Sequence, residues 1–232
     1  MFDVSLLALL LGTDRNAVAS HRRWFQGLTQ WERFMRERDH FAVARTALAG
    51  YAAAGRFGWG HPLVATSLAA ELGLSPTPVR EALAHLAGEG IIEHRPGRGY
   101  FAPSPTAADI VGLYELHHQF LRWSSGETFE DAVPLIEPSP DVVLRLEAVF
   151  DQLARQGANS AVFEAYRRVS AQLRPIRRIE ALLQNTGLEI ALEIERLRTD
   201  GRPPELAIAL DQYHAGRILV APTLEKVMRQ ST

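Results

Sequence analysis

The side chains best placed to do chemistry lie between Thr66 and Phe101. Thr77, Arg80, Ala84 and His85 share one side of a segment whose other side carries Val79, Leu83 and Leu86 at i, i+4 and i+7. Burying the apolar side as a helix turns the polar side outward near the helix N-terminus. A hydroxyl and a guanidinium held there can meet base edges in the major groove of a duplex. Further on, Arg95, Pro96, Gly97 and Arg98 separate the run Ile91 to His94 from Gly99, Tyr100 and Phe101, which predicts a hairpin with a basic tip able to reach a flanking groove or phosphate. The competing reading is structural: Ser75, Pro76, Thr77 and Pro78 shape a helix start, and Arg80 pairs with a carboxylate. Bond-making chemistry has no visible apparatus. There is no G-x-S-x-G, no H-E-x-x-H, no phosphate-cradling glycine loop and no cysteine, so neither an enzyme nor a cofactor is expected.

The elements that must hold these groups can be read around them. Leu68, Ala69 and Leu72 give a short helix one apolar face, and Gly73 ends it. Ser75 and Pro76 supply an N-cap and a pre-set first helical position for the next helix. Upstream, Val43, Ala47, Leu48 and Tyr51 predict a helix over 41–54 that stops at Gly55, with a glycine-rich turn leading into Pro62. Two short helices, a tight turn and a hairpin outline a winged helix-turn-helix over 41–104, and Ala102 to Pro105 reads as its linker.

Beyond the linker the pattern is helical throughout, so the fold class expected is mostly α: an N-terminal winged helix-turn-helix with a small β-hairpin wing, then a C-terminal antiparallel bundle of about six or seven helices over 105–232. Thr106 with Asp109 resembles a capping box. Ser139 and Pro140 start the next helix, which Gly157 stops, and Asn159 opens a long one kinked at Pro175. Thr186 and Glu189 cap a further helix, and a last pair is separated by Pro222.

Residues 1–40 form an extension in which Trp24, Leu28, Trp31 and Met35 make an apolar helical stripe, flanked by Arg22, Arg23, Glu32, Arg33 and Arg36. The stripe is expected to pack on the chain's own domains, with a dimer contact as the alternative. The chain has 232 residues, 47% hydrophobic and 22% charged, and a net charge of −2, as for an ordinary globular protein. Residues 41–104 carry five Arg against four acids, so a case for nucleic acid rests on where Arg80, Arg95 and Arg98 sit. Leu6 to Leu11 is too short to span a bilayer. With no cysteine, a cytoplasmic location is expected.

The stretch ELGLSPTPVREALAHLAGEGIIEHRPGRGYF resembles the DNA-binding domain of the GntR family of bacterial transcription regulators, and the likeness continues upstream through Gly55, Phe57, Gly60 and Leu63. The resemblance implies DNA contacts from Thr77 and Arg80, with Ser75 and Pro78 beside them, from the wing at Arg95, Arg98 and Gly99, and from Thr66 on the phosphate backbone. The family usually has Arg after the turn Ser; this chain has Pro76.

ADIVGLYELHHQFL then resembles the opening of the FadR-type ligand-binding domain, a bundle that senses small molecules and dimerises. Many such domains hold a divalent metal through an Asp and a His four residues apart and two later His. Here Phe163 and Arg167 occupy the first two places, the last would fall beyond Thr232, and only His214 remains, so no metal is expected. His117, Arg122, Arg167, Arg168 and His214 are left as candidates to line the interior and to hold an effector, such as a carboxylate, through Arg, although each taken singly is expected to be solvated or in a surface ion pair, and the adjacent Arg167 and Arg168 cannot both face inward. The function expected is a sequence-specific DNA-binding regulator, a repressor acting as a homodimer on a palindromic operator under effector control. The alternative is a protein-interaction adaptor on a winged-helix scaffold.

Overall fold

The computed structural model describes residues 39–124, 141–157, 159–183 and 187–230. The aromatic stripe of 24–35, the helix start at Ser139 and Pro140, and the cap at Thr186 lie outside the described residues.

The first unit opens with helix α1 (39–53), which buries Ala44, Leu48 and Ala52. After a glycine turn come strand β1 (Pro62–Leu63), helix α2 (Ala65–Leu72), helix α3 (Pro76–Gly88), and strands β2 (Glu93–Arg95) and β3 (Gly99–Phe101). Gly73 ends α2 with φ 65°, a left-handed conformation open to glycine at little cost, so α3 leaves at a sharp corner. Val79, Leu83 and Leu86 of α3 are fully buried against α1 and Ile92, as their spacing predicts.

The hairpin is part of a three-stranded antiparallel sheet in the order β1-β3-β2. β1 is two residues long, pairing Pro62 with Phe101 and Leu63 with Tyr100. Nothing so short leaves a period in the sequence; it exists because β3 offers it an edge. Arg95 pairs with Gly99 across β2 and β3, so the turn is Pro96 to Arg98 and Arg95 belongs to a strand.

The second unit is a bundle of helices α4 (Ala107–Ser124), α5 (Val142–Gly157), α6 (Ser160–Leu183), α7 (Gly187–Thr199) and α8 (Pro203–Gln230). Its core runs from Ile110 and Tyr114 through Phe150, Leu153, Tyr166 and Leu173 to Leu210, Tyr213 and Leu224. Thr106 and Asp109 form the expected capping box: Thr106 N donates to Asp109 Oδ2 at 2.9 Å and Asp109 N to Thr106 Oγ1 at 3.2 Å. Asp141 caps α5, accepting from Val143 N at 3.0 Å.

The described residues of this unit form five helices, fewer than the pattern predicts. One reason is Pro222, read from sequence as a break between two helices, which lies inside a continuous α8. Its missing N–H removes one helical hydrogen bond, but the ring is exposed, while Ala221, Leu224 and Met228 keep the next turn anchored in the core. Pro222→Ala restores that bond at a solvent-facing site, and is expected to raise the midpoint of thermal unfolding, with a gain of up to about 3 kcal/mol. A lowered midpoint by circular dichroism would contradict the packing argument.

Candidate nucleic-acid interface and the polar core behind it

Helix α3 presents Thr77, Arg80, Ala84 and His85 to solvent. Among the described residues Arg80 makes no ion pair, so the carboxylate partner that would make it merely structural is absent from the geometry. His85 stands 3.5 Å from Glu89 and edge-on to Phe41, which restrains its ring. Ser75 occupies the N-cap of α3 in an extended conformation but makes no side-chain capping bond, and Thr66 on α2 is exposed as well.

Two expected contacts are corrected. Pro78 is buried: it sits one residue before Val79 on the turn that meets the core, so its ring cannot meet a base. Arg95 is committed within the wing. Its guanidinium donates to Glu93 Oε2 from Nε at 3.0 Å and Nη2 at 2.6 Å, and lies 4.3 Å from the Phe101 ring centroid. Being in a strand two residues from Glu93, it shares a sheet face with that carboxylate, and its charge is matched there. Arg98, in the turn, is exposed with no ion pair among the described residues. Gly99 has φ 94° and enters β3 as backbone only.

Inside the bundle, the expected effector residues divide. Arg122 is exposed beside Asp211 at 3.7 Å, and Arg167 is exposed beside Glu164 at 3.5 Å; Arg168 is exposed too. They sit on the solvent side of α4 and α6, which corrects their candidacy for the effector site and agrees with the surface positions expected of each singly. His117 and His214 are buried and meet, Nδ1 to Nε2 at 2.9 Å, which also corrects the view that His214 has no second imidazole near it.

Their hydrogen bonds assign the tautomers. Arg177 Nη2, which can only donate, reaches His117 Nε2 at 2.9 Å. His117 therefore keeps its proton on Nδ1 and gives that bond to His214 Nε2, and His214 Nδ1–H donates to the Leu210 carbonyl at 2.7 Å. Both rings are neutral. Burial, and the nearby Arg177 guanidinium, hold His117 well below the usual imidazole range; burial pushes His214 down to about 3.

Arg177 also reaches Glu147 Oε1 and Ser170 Oγ, each at 3.2 Å, and Glu147 takes Arg174 as well. Glu180 accepts from the Tyr114 hydroxyl at 2.8 Å, with burial raising its carboxyl. Among the described residues no group of three or more His, Cys, Asp or Glu is arranged to hold a metal ion.

Residues 52–101 match the model of the family "Bacterial regulatory proteins, gntR family". That match covers the winged unit, about a fifth of the chain. It is similar to the Nta operon transcriptional regulator of Aminobacter aminovorans, with 27% identity over 69% of this chain and 85% of that one. It is also similar to an HTH-type transcriptional regulator in an unstable DNA locus of Streptomyces ambofaciens, 36% identical over 46% of this chain and 42% of the relative. The fold is shared with a GntR structure from Rhodococcus sp. RHA1, at TM-score 0.65 and 19% identity over 79% of this chain and 97% of that one. It is shared as well with E. coli McbR/YncC, at TM-score 0.55 and 15% identity over 78% and 96% of the two chains. Both of these relatives, from Aminobacter aminovorans and Streptomyces ambofaciens, carry the name of transcriptional regulator. None of the described helices is long and apolar enough to cross a membrane.

Behind this interface, sequence reasoning missed Arg177, Glu147, Glu180 and Arg217. The signal was present in α6, where Arg177 and Glu180 fall on the same stripe as Tyr166, Leu173 and Ile176, but charged residues at apolar positions are easily assigned to the surface.

Two outcomes follow from the polar core. Glu147→Ala leaves the buried Arg177 guanidinium without its carboxylate and should cost about 3–5 kcal/mol in urea unfolding, far more than an exposed pair is worth. The histidines make stability pH-dependent. Their folded pKa values lie below the unfolded value near 6.5, so unfolded chains take up protons that folded chains refuse. Stability is whole above pH ~6.5 and falls as pH drops toward about 3, by up to about 1.4 kcal/mol per pH unit for each ring. Urea midpoints at pH 7 and 5.5 should differ less in His214→Gln than in the native chain.

Proposed function

We propose that this GntR regulator is a sequence-specific repressor that binds a palindromic operator as a homodimer, with 41–104 as the DNA-binding unit, 105–232 as the dimerisation and effector unit, and 1–40 as an extension. The observation that carries the reading is Arg80: exposed beside Thr77 on the outer face of α3, unpaired among the described residues, while its apolar neighbours anchor the helix. Thr77 and Arg80 enter the major groove. Ser75, whose hydroxyl makes no capping bond, and Thr66 lie at the phosphates, and Arg98 with the Gly99 backbone meets the flanking groove.

Helix α8 supports a dimer. Ile208, Ala215, Leu219 and Pro222 are exposed on one side of it, Leu219 to 80%, opposite the side that builds the core. A two-fold axis through such a stripe presents the same patch from each copy, and half-site symmetry in the operator follows.

An effector carboxylate inside the bundle would meet Arg177 and Arg217, not Arg122 or Arg167. These two line a cavity of about 20 Å³ with Glu180 and Tyr213, room for a single water, so the helices must part to admit it.

Genome-wide capture of bound DNA should yield a palindromic motif. On that operator Arg80→Ala should weaken binding by about 1–3 kcal/mol and relax the motif, whereas Arg98→Ala should weaken all duplexes alike and lower the salt dependence. No preference for any genomic fragment over random duplex would end the reading. Leu219→Glu should shift the protein from dimer to monomer in sedimentation at unchanged helicity; an unmoved dimer would exclude the α8 face.

A further inference from the structure

A cavity of about 590 Å³ lies where the winged unit meets the bundle, within the size range of small-molecule sites and at the kind of junction where such sites form. The winged unit contributes Phe57, Trp59 and Ile91 to its wall, and the bundle contributes Leu113, Leu116 and Ile176. The two walls are held together. Arg178 of α6 donates from Nε to the Ala53 carbonyl at the end of α1, at 2.9 Å, and from Nη1 to Asp141 at 3.0 Å. Gly90, with φ 72°, packs so closely on α6 that a Cβ there would collide with the Gln172 amide.

The polar groups of the wall lean one way. Among the described residues that line it there is no Lys, Arg or His, and there are two carboxylates, Glu93 and Asp109. Glu93 is neutralised by Arg95 and accepts from Ser104 N at 3.1 Å. Asp109, exposed in the first turn of α4, accepts from Thr106 N and Oγ1 and makes no ion pair among the described residues. Ala171 and Pro175 lie in the wall four residues apart; Pro175 has no N–H, so the Ala171 carbonyl lacks its ordinary helical donor. An anion placed here meets two carboxylates and no cationic side chain, and the polar groups of the wall left open are acceptors.

We propose that this interdomain cavity binds an uncharged or singly cationic, mainly apolar small molecule. The site is separate from the carboxylate position inside the bundle and does not depend on it. Its walls include the linker residues Ala102 to Pro105 and the wing base at Glu93, so an occupant touches both units at once.

The test is fluorescence titration of the full chain with three dyes: Nile red, which is uncharged, thioflavin T, a cation, and anilinonaphthalene sulfonate, an anion. Nile red and thioflavin T should bind saturably with one site per chain, and the sulfonate about tenfold more weakly or worse. Gly112 lines the cavity with open space where its Cβ would be, so Gly112→Trp fills it and should weaken Nile red about tenfold. Ala108→Leu, a smaller intrusion on the same helix, should weaken it about threefold in a chain with native helicity, should the tryptophan variant fail to fold. Asp109→Asn, which keeps a capping side chain, should weaken thioflavin T and leave Nile red unchanged. Unsaturable Nile red binding, an affinity untouched by the filling substitutions, or a sulfonate bound as tightly as the other dyes would each overturn the proposal.

Discussion

The bundle depends on one buried cation. Arg177 lies on α6 and is 2% exposed; its guanidinium reaches Glu147 on α5, Ser170 on its own helix and His117 on α4, and through His117 it fixes His214 on α8. A guanidinium cannot shed its proton in a protein interior, so its donors need acceptors there, and Glu147, Ser170 and His117 supply them to Nη1 and Nη2, while Nε has none. That requirement runs outward as a chain of single-direction hydrogen bonds, from Arg177 to the Leu210 carbonyl, and leaves both imidazoles neutral. A helix that slid or rotated by one residue would strand at least one of these groups without a partner, at a cost of the order of 1–3 kcal/mol for a neutral group and more for a charged one. The apolar residues around the network tolerate such shifts better, because burial has no direction. The polar chain therefore specifies the register of four helices, while Phe150, Tyr166, Leu173 and Leu210 supply the area.

The same network limits where a ligand can go. The bundle interior has little room for an anion, since the space left beside Arg177 and Arg217 is small. The larger space lies between the units, where α6 turns its Gln172 and Pro175 side toward the wing base. One helix thus meets the buried network on one face and the winged unit on the other, with Arg178 as a direct hydrogen-bonded tie between them. A change at either face has a rigid element through which to act.

On the outer face of the winged unit, the arginines differ through their neighbours more than through residue type. Arg80 and Arg95 look equivalent as letters. Arg80 points from a helix whose adjacent positions on the same face are Thr77 and Ala84, none of them acidic, whereas Arg95 shares a strand face with Glu93 and rests on Phe101. Alternation in a strand puts residues two apart side by side, and in this wing that rule couples a cation to a carboxylate.

Much of this was determined by the sequence alone. The i, i+4, i+7 stripe of Val79, Leu83 and Leu86 dictates which side of α3 is buried, Gly73 dictates the corner before it, and Thr106 with Asp109 dictates where α4 begins, because each effect acts over one or two helical turns. Tertiary structure decided the rest. β1 forms only because β3 presents an edge, α8 runs through Pro222 because the core holds the residues on either side, and Arg122 and Arg167 lie outside while Arg177 lies inside because residues far apart in the chain, Glu147 and His117, are brought to meet that one position. Local spacing records the free energy of a turn; the place of a charge depends on partners that only folding brings within 3 or so ångströms.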